Sequence, residues 1–371
     1  MDPVSQGVLG AAVAQAVVGE RLGGRRAGWL GALAGMAPDL DVLIRSPSDP
    51  LLAIEFHRHF THSLAFIPIG GLLAAIPCWL WARRQDWVEG KHGQQLRVDA
   101  LILAATTLGW ATHGLLDTFT SYGTMLWWPL SSARVAWDWI SVLDPLYTLI
   151  LAVAVIWAAR TQKDPRRPAR WGLLISSLYM GLCGVQHHRA MTTQAQLAQL
   201  RGHSLVRGRA QPLFLTNLLW RSLYRDDDGA MHADALRLPW WSPPRHLGAG
   251  SQPPLDLSPA LAARPELARF DWFADGWLYL AADALQAELQ LPERSAAELR
   301  ERAVLCDGRY SVEPSGFSGV FCLELAPGGA VTLIQRRPDD AGATFEELLA
   351  LLRPSVGSPI TAPAPSPAGS R

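Results

Sequence analysis

The 371-residue chain carries 33 basic and 33 acidic side chains, so its formal net charge is zero and no global field recruits nucleic acid or an acidic surface. Hydrophobic residues make up 49% and charged ones only 18%, with 16 Trp and 27 Pro, a balance that leans toward a membrane protein. Cys78, Cys183, Cys306 and Cys322 form no CxxC pair, which argues against a thiolate zinc site; Cys306 and Cys322 lie in the polar C-terminal part, where an oxidising compartment would permit a disulfide.

The N-terminus lacks the order of a signal peptide, because Asp2 comes first and Arg21, Arg25 and Arg26 follow the apolar stretch, which is therefore expected to be retained. Pro3–Gly19 and Ala27–Pro38 are weaker apolar segments that read as two spans or as a re-entrant hairpin. Ser63–Ala82 has no charged residue over 20 positions, the length a helix needs to cross a bilayer's hydrocarbon core. Ala100–Leu116, Ile140–Ala159 and the shorter Trp171–Gln186 are read as further spans. Three basic loops separate them: Arg21, Arg25 and Arg26; Arg83, Arg84, Lys91 and Arg97; and Arg160, Lys163, Arg166, Arg167 and Arg170. Because Lys and Arg are retained in the cytoplasm, this threading sends Asp2, Asp39, Asp41, His57, His59, His62, His113, Asp117, Asp138, Asp144 and the region after residue 190 outward.

Beyond residue 190 the pattern changes. Met191–Leu200 reads as a short helix, and Leu218–Arg225, Phe270–Leu280, Gly319–Leu325 and Val331–Arg337 as strands, with turns at Asp226–Gly229 and Pro327–Gly329. Ser295–Val304, opening on a capping box, and Thr344–Leu352 read as helices. Pro354–Arg371 has the composition of a disordered tail. The expected fold class is mainly α: a polytopic α-helical membrane domain over residues 1–189, a smaller, mostly β (α+β) soluble domain over 190–353, and the tail over 354–371.

Three motifs supply carboxylates and imidazoles where apolar residues would be cheaper, as a divalent ion requires. Asp39 and Asp41 lie one residue apart and repel unless a cation sits beside them, though taken alone the pair reads better as solvated acids at a helix stop. His57, His59 and His62 place three imidazoles in six residues just before the strongest apolar run, which neither packing nor helix capping explains. His113 and Asp117, in a HxxxD spacing, share one helix face near the end of an apolar run; a hydrogen-bonded lock between helices is the alternative. Thr118–Thr124 contributes hydroxyls and Gly123 that would line a cleft or turn a loop.

These residues resemble a known family. Met1, Asp2 and Pro3 with Gly7 and Gly10, Pro38–Asp41, His57 and Arg58 with Thr61, His62 and Ser63, His113–Asp117 followed by Phe119–Gly123, and Asp138 with Asp144 and Pro145 look like the YdjM family of inner-membrane proteins, for which metal-dependent hydrolysis is expected. The resemblance covers roughly residues 1–190. It implies a bacterial inner-membrane location and a distant likeness to the all-helical zinc-dependent phospholipase C and nuclease fold. There Asp, His and a HxxxD pair bind zinc, and the matching positions here are Asp39 or Asp41, His62, and His113 with Asp117. This chain departs twice: Gln6 stands where the family commonly has a His, and His59 where it has Gly, so His59 would have to compensate for the missing imidazole or the site would hold fewer ions.

A His and Asp cage with no other nucleophile implies hydrolysis by metal-activated water. On this reading His57, His62, His113 and Asp117 are ligands, Asp39 or Asp41 bridges, and the remaining Asp is the general base. Asp39, Asp41 and Arg58 are the catalytic candidates, Arg58 steadying an anionic leaving group or pairing with a neighbouring Asp. Asp138 is a candidate supporting residue, as is Asp144, which could equally cap the following helix. The expected cofactor is a divalent metal, zinc ahead of manganese. The expected partners are the lipid bilayer and a small-molecule or lipid ester, of phosphate or another acid, with no nucleic acid; any protein partner of the C-terminal domain is left open. A multi-pass inner-membrane location with the cluster and the C-terminal domain on the periplasmic side completes the expectation. The competing class is a non-catalytic membrane protein whose cluster is a structural metal site or a polar helix lock.

Overall fold

The computed structural model describes residues 1–84, 92–281, 303–326, 329–336, 346, 349–353 and 356–360, and divides into two compact units: Met1–Ser46 with Leu52–Gly184, and Pro47–Leu51 with Val185–Arg371.

The first unit is helical. α1 (Pro3–Leu22) starts where Asp2 accepts the Val4 and Ser5 amides, each at 3.0 Å, with proline in the first turn. Gly23, at φ 85°, ends it and reverses the chain, and α2 (Gly24–Met36) packs back along α1. A 3₁₀ turn over Ala37–Leu43, the short α3 (Leu52–Phe56) and two more 3₁₀ turns, Phe60–His62 and Leu64–Phe66, lead into α4 (Ile67–Arg84). α5 (His92–Thr118) follows. Asp144 then caps α6 (Pro145–Arg160) by accepting the Tyr147 amide at 2.9 Å, and α7 (Arg166–Leu200) continues into the second unit. α1, α2 and α5 meet along glycines: a Cβ on Gly31 would lie 2.2 Å from the Gly10 carbonyl oxygen, and one on Gly109 2.4 Å from that of Gly31. Only small residues let three backbones approach so closely, and this seam brings the end of α2 against α5.

The polytopic reading is corrected. Among the described residues one helix, Leu64–Arg84, is long and apolar enough to cross a membrane, with a mean hydropathy of 1.9. Only 22% of its apolar window is buried, so it is no core helix closed over by protein. The other runs fail for identifiable reasons. α6 has 16 residues and rises about 24 Å, short of the roughly 30 Å hydrocarbon core. α7 has an apolar stretch only from Trp171 to Val185, closed by Arg170 before it and by Gln186, His187 and His188 after it, too short to span. α5 carries Arg97 and Asp99 near its start and Asp117 at its end, while α1 and α2 are rich in Gly and Ala and form a helical hairpin. Nor is the β-rich part a minor appendage, since its unit takes in the whole second half of the chain.

That second unit contains two antiparallel sheets. β1 (Leu205–Pro212), β2 (Leu219–Asp226), β3 (Met231–Arg237) and β4 (Arg245–Gln252) form a meander extended at its edge by β9 (Ser358–Pro359). After α8 (Pro259–Ala262) and α9 (Pro265–Ala274), β5 (Leu278–Leu280), β6 (Ala303–Asp307), β7 (Phe321–Leu325) and β8 (Val331–Gln335) make the second sheet. The sheets share a core in which Leu223, Met231 and Ala233 pack with Trp277, Tyr279 and Val304. Cys306 and Cys322 sit opposite each other on β6 and β7 and form a disulfide.

Of the strand expected over Phe270–Leu280, only β5 (Leu278–Leu280) is strand; residues 270–274 end α9, because Leu267, Phe270, Phe273 and Ala274 are buried at helical spacing behind Pro265. Likewise Met191–Leu200 is the last part of α7 and not a separate helix. Most of the helix expected over Ser295–Val304, four residues of the one expected over Thr344–Leu352, two residues of the turn at Pro327–Gly329, and most of the tail over Pro354–Arg371 lie outside the described residues; of the rest, Ala303 and Val304 open β6, residues 349–351 are helical, and Ser358–Pro359 of the expected tail is paired as β9.

Candidate metal centre

The centre is assembled from the 3₁₀ turn after α2, the His-rich turns before α4 and the end of α5. Asp41 ties the first two together: its Oδ2 accepts the Arg58 amide at 2.9 Å and the Thr61 hydroxyl at 3.2 Å, and its Oδ1 lies 2.9 Å from His57 Nδ1. Arg58 adopts φ 62°, a left-handed conformation that costs a non-glycine residue about 1–3 kcal/mol and is tolerated where surrounding contacts impose it. On α5, His113 and Asp117 stand one turn apart. His113 Nδ1 donates to the Gly35 carbonyl at 2.5 Å, which fixes the tautomer of the neutral ring so that Nε2 is the nitrogen that gives up its proton to bind an ion.

Asp39, His62, His113 and Asp117 each place one donor atom within 4.8 Å of all the others. His113 Nε2 lies 3.3 Å from Asp39 Oδ1 and 3.5 Å from Asp117 Oδ2; His62 Nε2 lies 3.5 and 3.3 Å from the same two oxygens. His62 Nε2, His113 Nε2 and Asp117 Oδ2 are buried and make no hydrogen bond. Buried polar atoms are almost always satisfied, so three orphans facing one another mark a place for a group that bonds to all of them. Two imidazole nitrogens and two carboxylate oxygens are the donor set of a borderline divalent cation such as zinc or manganese, and these residues fit one. Asp39, Asp41 and His57 form a second, overlapping group, so Asp39 stands where a bridging carboxylate would.

The other candidates fall differently. Arg58 is 4% exposed; its Nε lies 3.2 Å from Asp117 Oδ2 and its Nη1 donates to Thr120 at 2.7 Å, so it holds a ligand in place while its guanidinium lies over the Tyr122 ring. His59 joins neither group and packs against Phe56 and Trp128. Gln6 is fully buried and donates to Asp117 Oδ1 at 2.9 Å, so this side chain lies beside the centre, and the imidazole of His59 does not. Asp144 caps α6 and accepts the Tyr179 hydroxyl at 2.8 Å; neither it nor Asp138 joins a group. Sequence reasoning missed the Met1 amine, which is buried and donates to Asp117 Oδ1, and the anchoring role of Thr120. It also missed His203, Asp226 and His232, a separate group in the second unit. The readable sign was the tight Asp226–Gly229 turn, which returns His232 alongside Asp226.

Burial alone would strip His113 of its proton, but the Asp117 and Asp39 carboxylates beside it outweigh burial and push its pKa up to about 9. Burial likewise opposes ionisation of Asp39, Asp41 and Asp117, yet the neighbouring imidazoles and, for Asp117 above all, Arg58 hold all three below the usual carboxylate range. His57 shifts the other way, down, because burial there outweighs Asp41.

One consequence is measurable. With no ion bound, His113 is protonated up to pH about 9. An ion must displace that proton, so apparent metal affinity rises about tenfold per pH unit between pH 6.5 and 8.5 and flattens above 9. Stability of the metal-free protein runs oppositely: His113 contributes fully below its ordinary pKa of 6.5, and the contribution fades as pH climbs through 9. Metal titrations at stepped pH check this; a flat affinity would contradict it.

A family model described as YdjM inner membrane protein matches residues 1–190. The chain is also similar to a Bacillus subtilis (strain 168) protein described as Uncharacterized protein YfhP, at 27% identity over 177 residues, 47% of this chain and 48% of that protein. The chain thus spans about half the length of this curated relative. No solved structure matches.

Proposed function

This chain belongs to the YdjM inner membrane protein family, and from that premise we propose that it is a membrane-bound, metal-dependent ester hydrolase. The observation that carries this reading is the cluster of buried, unbonded donor atoms on His62, His113 and Asp117, which Asp39 completes. When bound, a zinc or manganese ion supplies polarisation of an ester oxygen and acidification of water. The chain's own residues do the rest. His57, its pKa lowered by burial and its Nδ1 held 2.9 Å from Asp41, is the proton acceptor, so Asp41 orients the base while Asp39 serves as ligand. Arg58 fixes Asp117.

The substrate class is a lipid ester. A cavity of about 680 Å³ is lined by Leu33, Leu40, Leu73, Pro77, Trp81 and Trp110, and Asp41 is the one carboxylate among its described lining residues, beside Thr61. One wall is the apolar helix Leu64–Arg84, so an acyl chain lying along that helix would bring its ester to Asp41. Arg83 and Arg84 at the far end of that helix favour the cytoplasm, which supports a periplasmic position for the centre. The disulfide of the second unit favours an oxidising compartment for that unit.

The test is a panel of phosphomonoesters, phosphodiesters and carboxylic esters offered to protein loaded with zinc or manganese. Hydrolysis should require the ion, and for substrates free in water kcat/KM should rise about fourfold per added methylene, the roughly 0.8 kcal/mol of each buried CH₂. An ion held at stoichiometry with every ester left intact would favour the second reading, a metal-stabilised helix lock. One observation supports that alternative: Gln6, Arg58 and the Met1 amine already converge on Asp117.

A further inference from the structure

We infer that the second unit carries a metal site of its own, formed by His203, Asp226 and His232 and suited to a borderline divalent cation such as zinc. The three donors come from separate places: His203 from the turn after α7, Asp226 from the end of β2, and His232 from β3. Pairing of β2 with β3 sets Tyr224 opposite His232, and their rings stack with centroids 4.8 Å apart. The His203 ring lies over that of His232 at 4.4 Å.

One donor atom from each of the three residues lies within 4.8 Å of the others. Ligands of a tetrahedral zinc ion, with bonds of about 2.0–2.1 Å, stand roughly 3.3 Å apart. His232 Nε2 is already 2.7 Å from Asp226 Oδ2, and both imidazoles are partly exposed, so a ring rotation closes the remainder.

The surroundings support the ligands as metal sites require. His203 Nδ1 lies 2.9 Å from the Tyr224 hydroxyl, which accepts from Arg201 at 3.0 Å, and Arg201 grips both oxygens of Asp234 at 3.0 and 2.6 Å. This chain orients the ring and leaves Nε2 for an ion. Asp226 Oδ1 is occupied by the Ala230 amide at 2.8 Å, which leaves Oδ2 on the imidazole side. Two imidazoles and one carboxylate occupy three of four tetrahedral positions, leaving one for water or a side chain from a partner.

The test uses the full chain, stripped with chelator and titrated with cobalt(II) or zinc alone, in a His113→Ala background that empties the first centre and keeps the Arg58–Asp117 pair. This background should still take up one equivalent, with cobalt absorption of nitrogen and oxygen ligation. His203→Ala and His232→Ala should each weaken it at least 100-fold, and Tyr224→Phe by about tenfold with the fold intact. His203 lies in a turn and is partly exposed, so His203→Ala tests the site with the fold kept, as far-ultraviolet circular dichroism would verify. In the otherwise unaltered chain, His203→Ala should lower the number of ions bound by one. The inference is overturned if the background binds no ion, or if His203→Ala leaves both affinity and stoichiometry unchanged. Neither result depends on whether the first centre hydrolyses esters.

Discussion

Changing His113 to Ala should abolish metal binding at the first centre and lower the proposed ester hydrolysis at least about 100-fold, whereas changing Asp117 to Asn should do the same and also destabilise the fold by about 3–5 kcal/mol. The difference follows from what each side chain faces. Above pH 9, where its imidazole is neutral, His113 Nε2 is an orphan among donors, so its loss there removes a ligand and one hydrogen bond to Gly35. Asp117 balances the buried Arg58 guanidinium, 3.2 Å away, and a neutral amide leaves that charge unpaired away from water. Metal analysis of the purified variants, with urea unfolding of each, separates the two effects. Equal stability losses would remove Arg58–Asp117 as the structural anchor; full metal content in His113→Ala would remove the proposed ligand set.

Gly114→Ala is the second large effect, and it comes from a residue that touches no ion. A Cβ at Gly114 would lie 1.9 Å from the His62 carbonyl oxygen, so α5 and the turn carrying His62 must separate. Backbone cannot yield as a flexible side chain can, and the cost should reach the upper end of the 1–3 kcal/mol seen for overpacking, roughly 3 kcal/mol. Because the same movement draws His62 away from His113 and Asp117, metal affinity should fall about 10–100-fold. Gly181 on α7 is the control: nothing lies within 4 Å of a Cβ there, so Gly181→Ala should be neutral or stabilise by up to about 1 kcal/mol. Thermal unfolding and metal titration of both variants decide it, and a Gly114→Ala protein indistinguishable from Gly181→Ala would show the helix contact to be slack.

Where sequence reasoning failed, it failed for one reason: a charge-free run reports composition, and crossing a bilayer also needs an uninterrupted helix of sufficient length. Ser63–Ala82 meets both conditions in α4; Ile140–Ala159 loses its first residues to the loop before Asp144 and becomes a 16-residue helix. The aromatic run at Phe270 misled similarly, since alternation and helical spacing overlap over a few residues and Pro265, at the first turn of α9, resolved the choice.

The sequence by itself determined that His113 and Asp117 share a helix face, because their spacing of four matches the helical repeat, and that Asp144 is suited to cap the helix opened by Pro145. It could not determine which of His57, His59 and His62 turns inward, since that depends on a left-handed Arg58 and on contacts with Asp41 from a distant turn. Only the tertiary structure decided that His62 joins Asp39, His113 and Asp117 while His59 packs on Trp128. The physical reason is that convergence of donors from separate segments is set by how closely α1, α2 and α5 approach through Gly10, Gly31 and Gly109, a distance no local pattern encodes.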